Sequence, residues 1–425
     1  MRRVVITGIG AVTPLGNNIE TTWDNLTEKI TGISQITKFD PSGLTSRIAG
    51  ELKDFSPEEY ISKKDIQRLD PFIHYAVAAA LMAAKDAGII RQGSGVRGQG
   101  SERDHELRIS NCEPASAGII IGSSRGGITS MEKALGDNLL KGRHFSAYLM
   151  SASTINMASS YISMRLGIKG PSLGISTACA SGTNAIGEAF RMIQNGDIDI
   201  VIAGGAEAPV CRLAVGGYAA SGALSGRNHD PEKASRPFGR DRDGFVVSEG
   251  AGVLVIEEMN HALERGALIY AELAGYGTSS DAFHQTKPDS EGEAAAIIKA
   301  LNDADITTDE VDYINAHATS TVLGDIAEAE AIKKVFGKRA DDIYVSSCKS
   351  MLGHMLGAAG AVEAAVTAIS IQRGIIIPTI NLDNPDPDCG LNHATSAIKK
   401  DINIAITNSF GFGGVNAVLV LKRIF

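Results

Sequence analysis

The sequence predicts an α/β protein built of two similar halves, and three features point there. Short β-branched runs ending in glycine or another small residue alternate with alanine-rich segments of helical length, the pattern of largely buried strands packed against helices. Glycine accounts for 47 of 425 residues, above the ordinary share of roughly 7%, as many tight strand-to-helix turns require. The same rhythm then occurs twice along the chain.

Strands are predicted over 3–9, 118–121, 173–177, 198–203 and 252–257, and a second series over 269–275, 311–315, 343–346, 402–407 and 417–421. Helices are predicted over 71–87, 182–194, 293–303, 325–336 and 356–372. The succession 76–87 then 117–123 matches 294–304 then 311–317, and 173–179 with its following helix matches 344–349 with its own. Residues 1–265 and 266–425 are therefore expected as two duplicated halves; the plainer account is that all α/β chains share this rhythm. Residues 91–116 are rich in Gly, Ser, Arg and Glu. Such a segment cannot bury enough surface to order itself, so an exposed, mobile loop is expected there.

Composition narrows the function. With 44% hydrophobic and 21% charged residues the chain has an ordinary globular makeup, and a net charge of −9 argues against nucleic-acid binding. Cys112, Cys179, Cys211, Cys348 and Cys389 are scattered, so neither a disulfide framework nor a metal site is expected, and a reducing compartment is. The apolar stretch after Arg3 is too short for a signal peptide, and no run is long enough to span a bilayer; a cytoplasmic location is expected.

Cys179 lies in Ser176-Thr177-Ala178-Cys179-Ala180-Ser181-Gly182, where a strand ends, a helix begins and small residues flank the sulfur. A helix N-terminus favours a thiolate, the reactive form of a nucleophile; the bland alternative is a buried structural cysteine. His317, in Asn315-Ala316-His317-Ala318-Thr319-Ser320-Thr321, and His354, in Lys349-Ser350-Met351-Leu352-Gly353-His354, also follow strands. Open α/β sheets place their sites at such strand ends, although a lone histidine is more often structural. Gly411-Phe412-Gly413-Gly414 offers a backbone N–H to an oxyanion, or is a plain turn.

Taken in order, STACASG around Cys179, RPFGRDRDGFVVSEGAG from Arg236, NAHATST around His317, KSMLGHMLGAAG around His354 and NSFGFGG around Phe412 resemble the β-ketoacyl-[acyl-carrier-protein] synthases, especially the type II condensing enzymes. The resemblance covers nearly the whole chain except about 91–116, which reads as an insertion. It implies a thiolase-like, five-layered αβαβα fold of two pseudo-duplicated halves, a homodimer, and acyl carrier protein as partner, with no cofactor. By the resemblance Cys179 is the acylated nucleophile. His317 and His354 support malonyl decarboxylation, and Lys349 organises charge around them. The N–H groups of Cys179 and Phe412 form the oxyanion hole, and Phe412, flanked by Gly411 and Gly413, acts as a gate. Thr319 and Thr321 bind the pantetheine arm, and Lys63, Lys64 and Arg68 dock the acidic carrier protein. Glu363 matches a glutamate near the site, with a structural or monovalent-ion role equally open, and Asp281 and His284 match a conformational loop.

The chain departs from the family at Ala318, Cys348, Leu352 and Val322, none of which removes a catalytic group. Arg125 is the larger departure, standing where type II enzymes carry an apolar residue on the acyl-pocket wall. A guanidinium beside an alkyl tail is costly unless paired or solvated, so Arg125 is expected either to turn away or to shorten and polarise the pocket, with Leu149 as neighbour across the dimer interface. Fatty acid elongation is the leading reading. Its rivals are a ketosynthase of a polyketide, polyene or other specialised pathway, a non-catalytic chain-length partner, which would lack Cys179, and a thioesterase or biosynthetic thiolase, the latter expected to carry a second cysteine near the C-terminal glycine loop.

Overall fold

Eleven strands form one twisted sheet, and their order explains how the two halves meet. The computed structural model describes residues 1–92 and 107–424. In chain order the strands are β1 (Val4–Val12), β2 (Ala117–Gly122), β3 (Ser172–Ile175), β4 (Ile200–Glu207), β5 (Gly250–Glu258), β6 (Ala271–Ser280), β7 (Tyr313–Asn315), β8 (Tyr344–Ser346), β9 (Asn392–His393), β10 (Ile404–Gly411) and β11 (Val415–Lys422). They lie in the order β3-β2-β4-β5-β1-β6-β11-β10-β7-β8-β9. From the outside inward, the first five run third, second, fourth, fifth and first of their half. Strands β8, β7, β10, β11 and β6 repeat that order. The directions repeat too: β2 is parallel to β3 and β4, and β7 to β8 and β10, while the remaining pairs within each set are antiparallel. Val4, Val5 and Ile6 of β1 pair with Leu273, Glu272 and Ala271 of β6 and join the sets.

Six helices complete the layers: α1 (Pro71–Asp86), α2 (Met157–Leu166), α3 (Ser181–Asn195), α4 (Ser290–Asp303), α5 (Val322–Phe336) and α6 (Ala359–Arg373). Asp70 caps α1, its Oδ1 accepting from the Phe72 N–H at 3.0 Å, with Pro71 at the first helical position, where its missing donor costs nothing. Alternation along the strands assigns faces. Ile200, Ile202, Val253 and Val255 pack with α1 and α2, whereas Val201, Ala203, Leu254 and Ile256 face α3 and α6. In the second half Val418 and Val420 pack with α4 and α5, while Leu419 and Leu421 face the central helices. Helices α3 and α6 thus fill the middle of five layers: α1–α2, the first-half strands of the sheet, α3–α6, its second-half strands, and α4–α5. Both faces of the central strands are buried, which is why they read as continuous apolar runs.

The predicted strands and helices all form, with ends shifted by a few residues. Residues 356–358 enter α6 as a 3₁₀ turn, and the strand predicted over 173–177 stops at Ile175 because the chain turns sharply before Cys179. The loop expected over 91–116 needs correction at its ends. Ile90–Gln92 pairs antiparallel with Leu107–Ile109, and Pro114–Ser116 forms a 3₁₀ turn. Ile109 is buried with α1 and α2, and Leu107 packs against them. These two side chains supply the apolar anchor that the composition of the segment as a whole obscured. The rest of that expected loop, 93–106, lies outside the described residues.

Candidate active site

Equivalent connections in the two halves deliver the central residues. Cys179 lies between β3 and α3, and His354 between β8 and α6. Because α3 and α6 pack side by side in the middle layer, their N-terminal approaches converge. His354 Nε2 lies 3.0 Å from Cys179 Sγ. His317, in the connection after β7, joins them, and the sulfur and one nitrogen of each ring lie within 4.8 Å of one another. The two imidazoles meet edge to face, centroids 5.4 Å apart.

Local geometry holds Cys179 on a sharp elbow. Ala178 has φ +50°, a left-handed conformation uncommon outside glycine. The Thr177 N–H donates to Ser181 Oγ at 2.9 Å. Asn184 Nδ2 donates to Thr177 Oγ1 at 2.7 Å, and the Tyr276 hydroxyl, reaching from β6, donates to Asn184 Oδ1 at 2.7 Å. The 411–414 loop lies directly over this elbow: a Cβ on Gly411 would come within 3.2 Å of the Cys179 nitrogen. The Phe412 N–H bonds the sulfur, and the Phe412 ring packs beside Cys179 and Leu356.

Electrostatics differ from the expectation of a ready thiolate. Burial pushes the Cys179 thiol up to about 11, against the opposing pull of Lys349 and the Phe412 N–H. The cause is desolvation: a helix N-terminus and one buried cation do not replace the water that a thiolate loses here. Burial also holds His317 and His354 well below the usual imidazole range, with Lys349 acting in the same direction. Both rings are therefore neutral at pH 7, and the Nδ1 of each is buried without a partner among the described residues. Lys349 is 1% exposed and forms an ion pair with the equally buried Glu363. Cys348 Sγ reaches the same carboxylate at 3.8 Å.

A cavity of about 360 Å³ opens onto these groups. Cys179, His317, His354, Phe412, Gly411, Gly413, Thr319, Thr321, Arg125 and Asp281 are among the residues that line it. Thr319 and Thr321 share a hydrogen bond of 3.1 Å. Arg125 Nε donates to the Tyr218 hydroxyl at 2.8 Å. Asp281 accepts from Asn416 Nδ2 at 2.6 Å, while the exposed His284 caps its own turn through Nδ1, which accepts from the N–H groups of Thr286 and Lys287. Leu149 opens the short helix Leu149–Ser153 and is not among the residues lining the cavity. Lys63 and Lys64 stand exposed on the helix Lys63–Ile66, away from the cavity, and Arg68 stacks over the Tyr148 ring at 4.3 Å.

Sequence reasoning missed two buried carboxylates that shape the site. Glu328 accepts from the N–H groups of His317 and Ala318, at 2.8 and 2.7 Å, and from Asn408 Nδ2 at 2.9 Å. Glu207 accepts from Ser123 Oγ and from the N–H groups of Ser124, Arg125 and Gly357, bonds of 2.6 to 3.1 Å. Glu207 left one signal in the sequence, a carboxylate ending the apolar run Ile200–Glu207 beside two glycines. Glu328, within an ordinary charged helix, left none.

Residues 1–262 match the beta-ketoacyl synthase N-terminal domain, and residues 270–383 the beta-ketoacyl synthase C-terminal domain. The chain is 46% identical to a 3-oxoacyl-[acyl-carrier-protein] synthase 2 of Staphylococcus aureus, covering 99% of this chain and 98% of that one. It is 44% identical to the protein of the same name from Vibrio harveyi, covering 100% and 99%. Among solved structures, the ishigamide ketosynthase/chain length factor superposes with a TM-score of 0.89 at 35% identity, each chain fully covered. A type II polyketide ketosynthase in complex with its acyl carrier protein gives 0.88 at 34%, again with full coverage. Sequence, fold and site arrangement agree: the chain belongs to the beta-ketoacyl synthase family.

Proposed function

We propose that the chain is a β-ketoacyl-[acyl-carrier-protein] synthase, an acyltransferase that extends a Cys-bound fatty acyl group by decarboxylative condensation with malonyl carrier protein. The observation that carries this reading is the buried contact of Cys179 Sγ with His354 Nε2 at 3.0 Å, with His317 completing the cluster. In the first stage the Cys179 sulfur attacks the acyl thioester carbonyl and the pantetheine thiol leaves with the displaced proton. The N–H groups of Cys179 and Phe412 hold the tetrahedral oxyanion. In the second stage the malonyl thioester loses carbon dioxide. His317 and His354, neutral and each with one N–H to give, stabilise the enolate oxygen. The C2 carbanion then attacks the acyl carbonyl and releases the Cys179 thiolate. Lys349, a buried cation, favours every anion along this path and adds to the burial that keeps both imidazoles uncharged.

Further parts of the reading have support of their own. The division into halves near residue 265 falls in the connection between β5 and β6, where one family domain ends and the other begins. A homodimer is supported by β3, an edge strand with Leu173 exposed, and by Leu135, Leu139 and Leu140 on the helix Ile128–Lys141, all exposed in one protomer. Carrier-protein docking at Lys63, Lys64 and Arg68 is supported by the exposure of the two lysines. The second reading, a ketosynthase of a specialised pathway, is favoured by Arg125 on the cavity wall.

Intact-protein mass spectrometry after incubation with acyl carrier proteins tests the reading. An acyl mass added to the wild type and absent from Cys179→Ala supports it. Folded wild type that takes up no acyl group from any carrier protein refutes it.

A further inference from the structure

Arg125 occupies the cavity wall in a manner an alkyl pocket does not need. Its Nε is spent on Tyr218, and its Cζ lies 5.3 Å from that ring's centroid. Tyr218 meets Phe245 edge-on at 5.6 Å, and Phe245 meets His354 edge-on at 5.3 Å. The guanidinium is thus braced through two aromatic rings against the catalytic cluster. Its backbone N–H is pinned by Glu207 at 2.9 Å. Nη1 and Nη2 have no hydrogen-bond partner among the described residues. They belong to a side chain that lines the same cavity as Cys179 and whose charge reaches the sulfur.

A fixed, planar fork of unpaired donors matches an oxygen acceptor and not a methylene chain. An alkyl tail laid against it strips water from a charge and returns no hydrogen bond. A carbonyl or carboxylate oxygen at the same place returns one or two charge-assisted bonds.

Resting on the ketosynthase reading above, we infer that Arg125, positioned by Tyr218, makes this enzyme select acyl groups that carry an oxygen acceptor beyond the thioester carbonyl. The substrate class is therefore 3-oxoacyl or carboxyl-terminated acyl thioesters of short length, in preference to plain alkyl chains. Loading is the ordinary exchange: the Cys179 S–C bond forms, the pantetheine S–C bond breaks, and the thiol proton passes to the leaving sulfur.

Time-resolved mass spectrometry of Cys179 acylation tests this with hexanoyl, 3-oxohexanoyl and glutaryl carrier proteins. Wild type is expected to load at least one oxygenated group tenfold faster than hexanoyl. The faster of the two shows whether the partner is a ketone or a carboxylate. Arg125→Ile is expected to erase that ratio, and Tyr218→Phe, which frees the guanidinium from its brace, to reduce it. Should Arg125→Ile fail to fold, by circular dichroism, Arg125→Lys keeps the charge without the fork and is expected to lower the ratio. A wild type that prefers hexanoyl, or an unchanged ratio in a folded Arg125 variant, overturns the inference and leaves the ketosynthase reading standing. No loading of any group overturns both.

Discussion

His354 Nε2 and Cys179 Sγ stand 3.0 Å apart although 175 residues separate them in the chain. Two helices that start at equivalent places in the two halves bring them together, so the contact belongs to the packing of α3 on α6.

The buried sulfur makes resting reactivity strongly pH-dependent. With the thiol pushed up to about 11, alkylation of Cys179 by iodoacetamide is expected to rise about tenfold per pH unit from 7 to 10, following the thiolate fraction. A plateau reached below pH 8 would contradict this account of the site.

Lys349 and Glu363 form an ion pair in which both side chains are at most 2% exposed. Lys349→Met strands the carboxylate and is expected to cost roughly 3–5 kcal/mol in urea unfolding. Adding Glu363→Leu is expected to restore most of that stability but not condensation activity, since the cation beside the histidines is still absent. Equal stability of the single and double variants would show that the pair is not the coupled unit inferred here.

Glu207 sets a pH-dependent part of the stability. Burial raises its carboxyl to about 7, so the folded state holds the proton more tightly than the unfolded chain. Its contribution is complete below about pH 4.5 and is lost as the pH rises through 7, a change on the order of 3 kcal/mol. Glu207→Gln is expected to flatten the stability slope between pH 4.5 and 7, measured by urea unfolding at each pH. An unchanged slope would assign the pH dependence to other buried acids.

The seam between α3 and α6 tolerates no added volume. A Cβ on Gly182 would lie 2.8 Å from the Gly357 carbonyl oxygen and 3.1 Å from the Ala361 Cβ. Gly182→Ala is expected to destabilise the fold by roughly 1–3 kcal/mol and to slow acyl transfer by moving Cys179 away from His354. Thermal unfolding together with the acylation rate checks both effects, and wild-type behaviour in each would mean that the seam can give.

The sequence by itself determined the α/β class and the family, and it singled out Cys179, His317 and His354, which the structure brings together. Strands buried on both faces, such as Ile200–Glu207, must be written as unbroken apolar runs, and a nucleophile at a strand–helix elbow needs small neighbours such as Ala178, Ala180 and Gly182. Those are local requirements, so they leave local marks. Tertiary structure decided the rest. Whether Arg125 faced the cavity depended on Tyr218, 93 residues away. Whether Cys179 rested as thiol or thiolate depended on how completely water was excluded. Glu328 became the support of His317 only when α5 turned it toward the β7 connection. Desolvation and long-range hydrogen bonds are sums over neighbours that the chain order does not name, and they set the chemical character of residues whose identity was plain from the start.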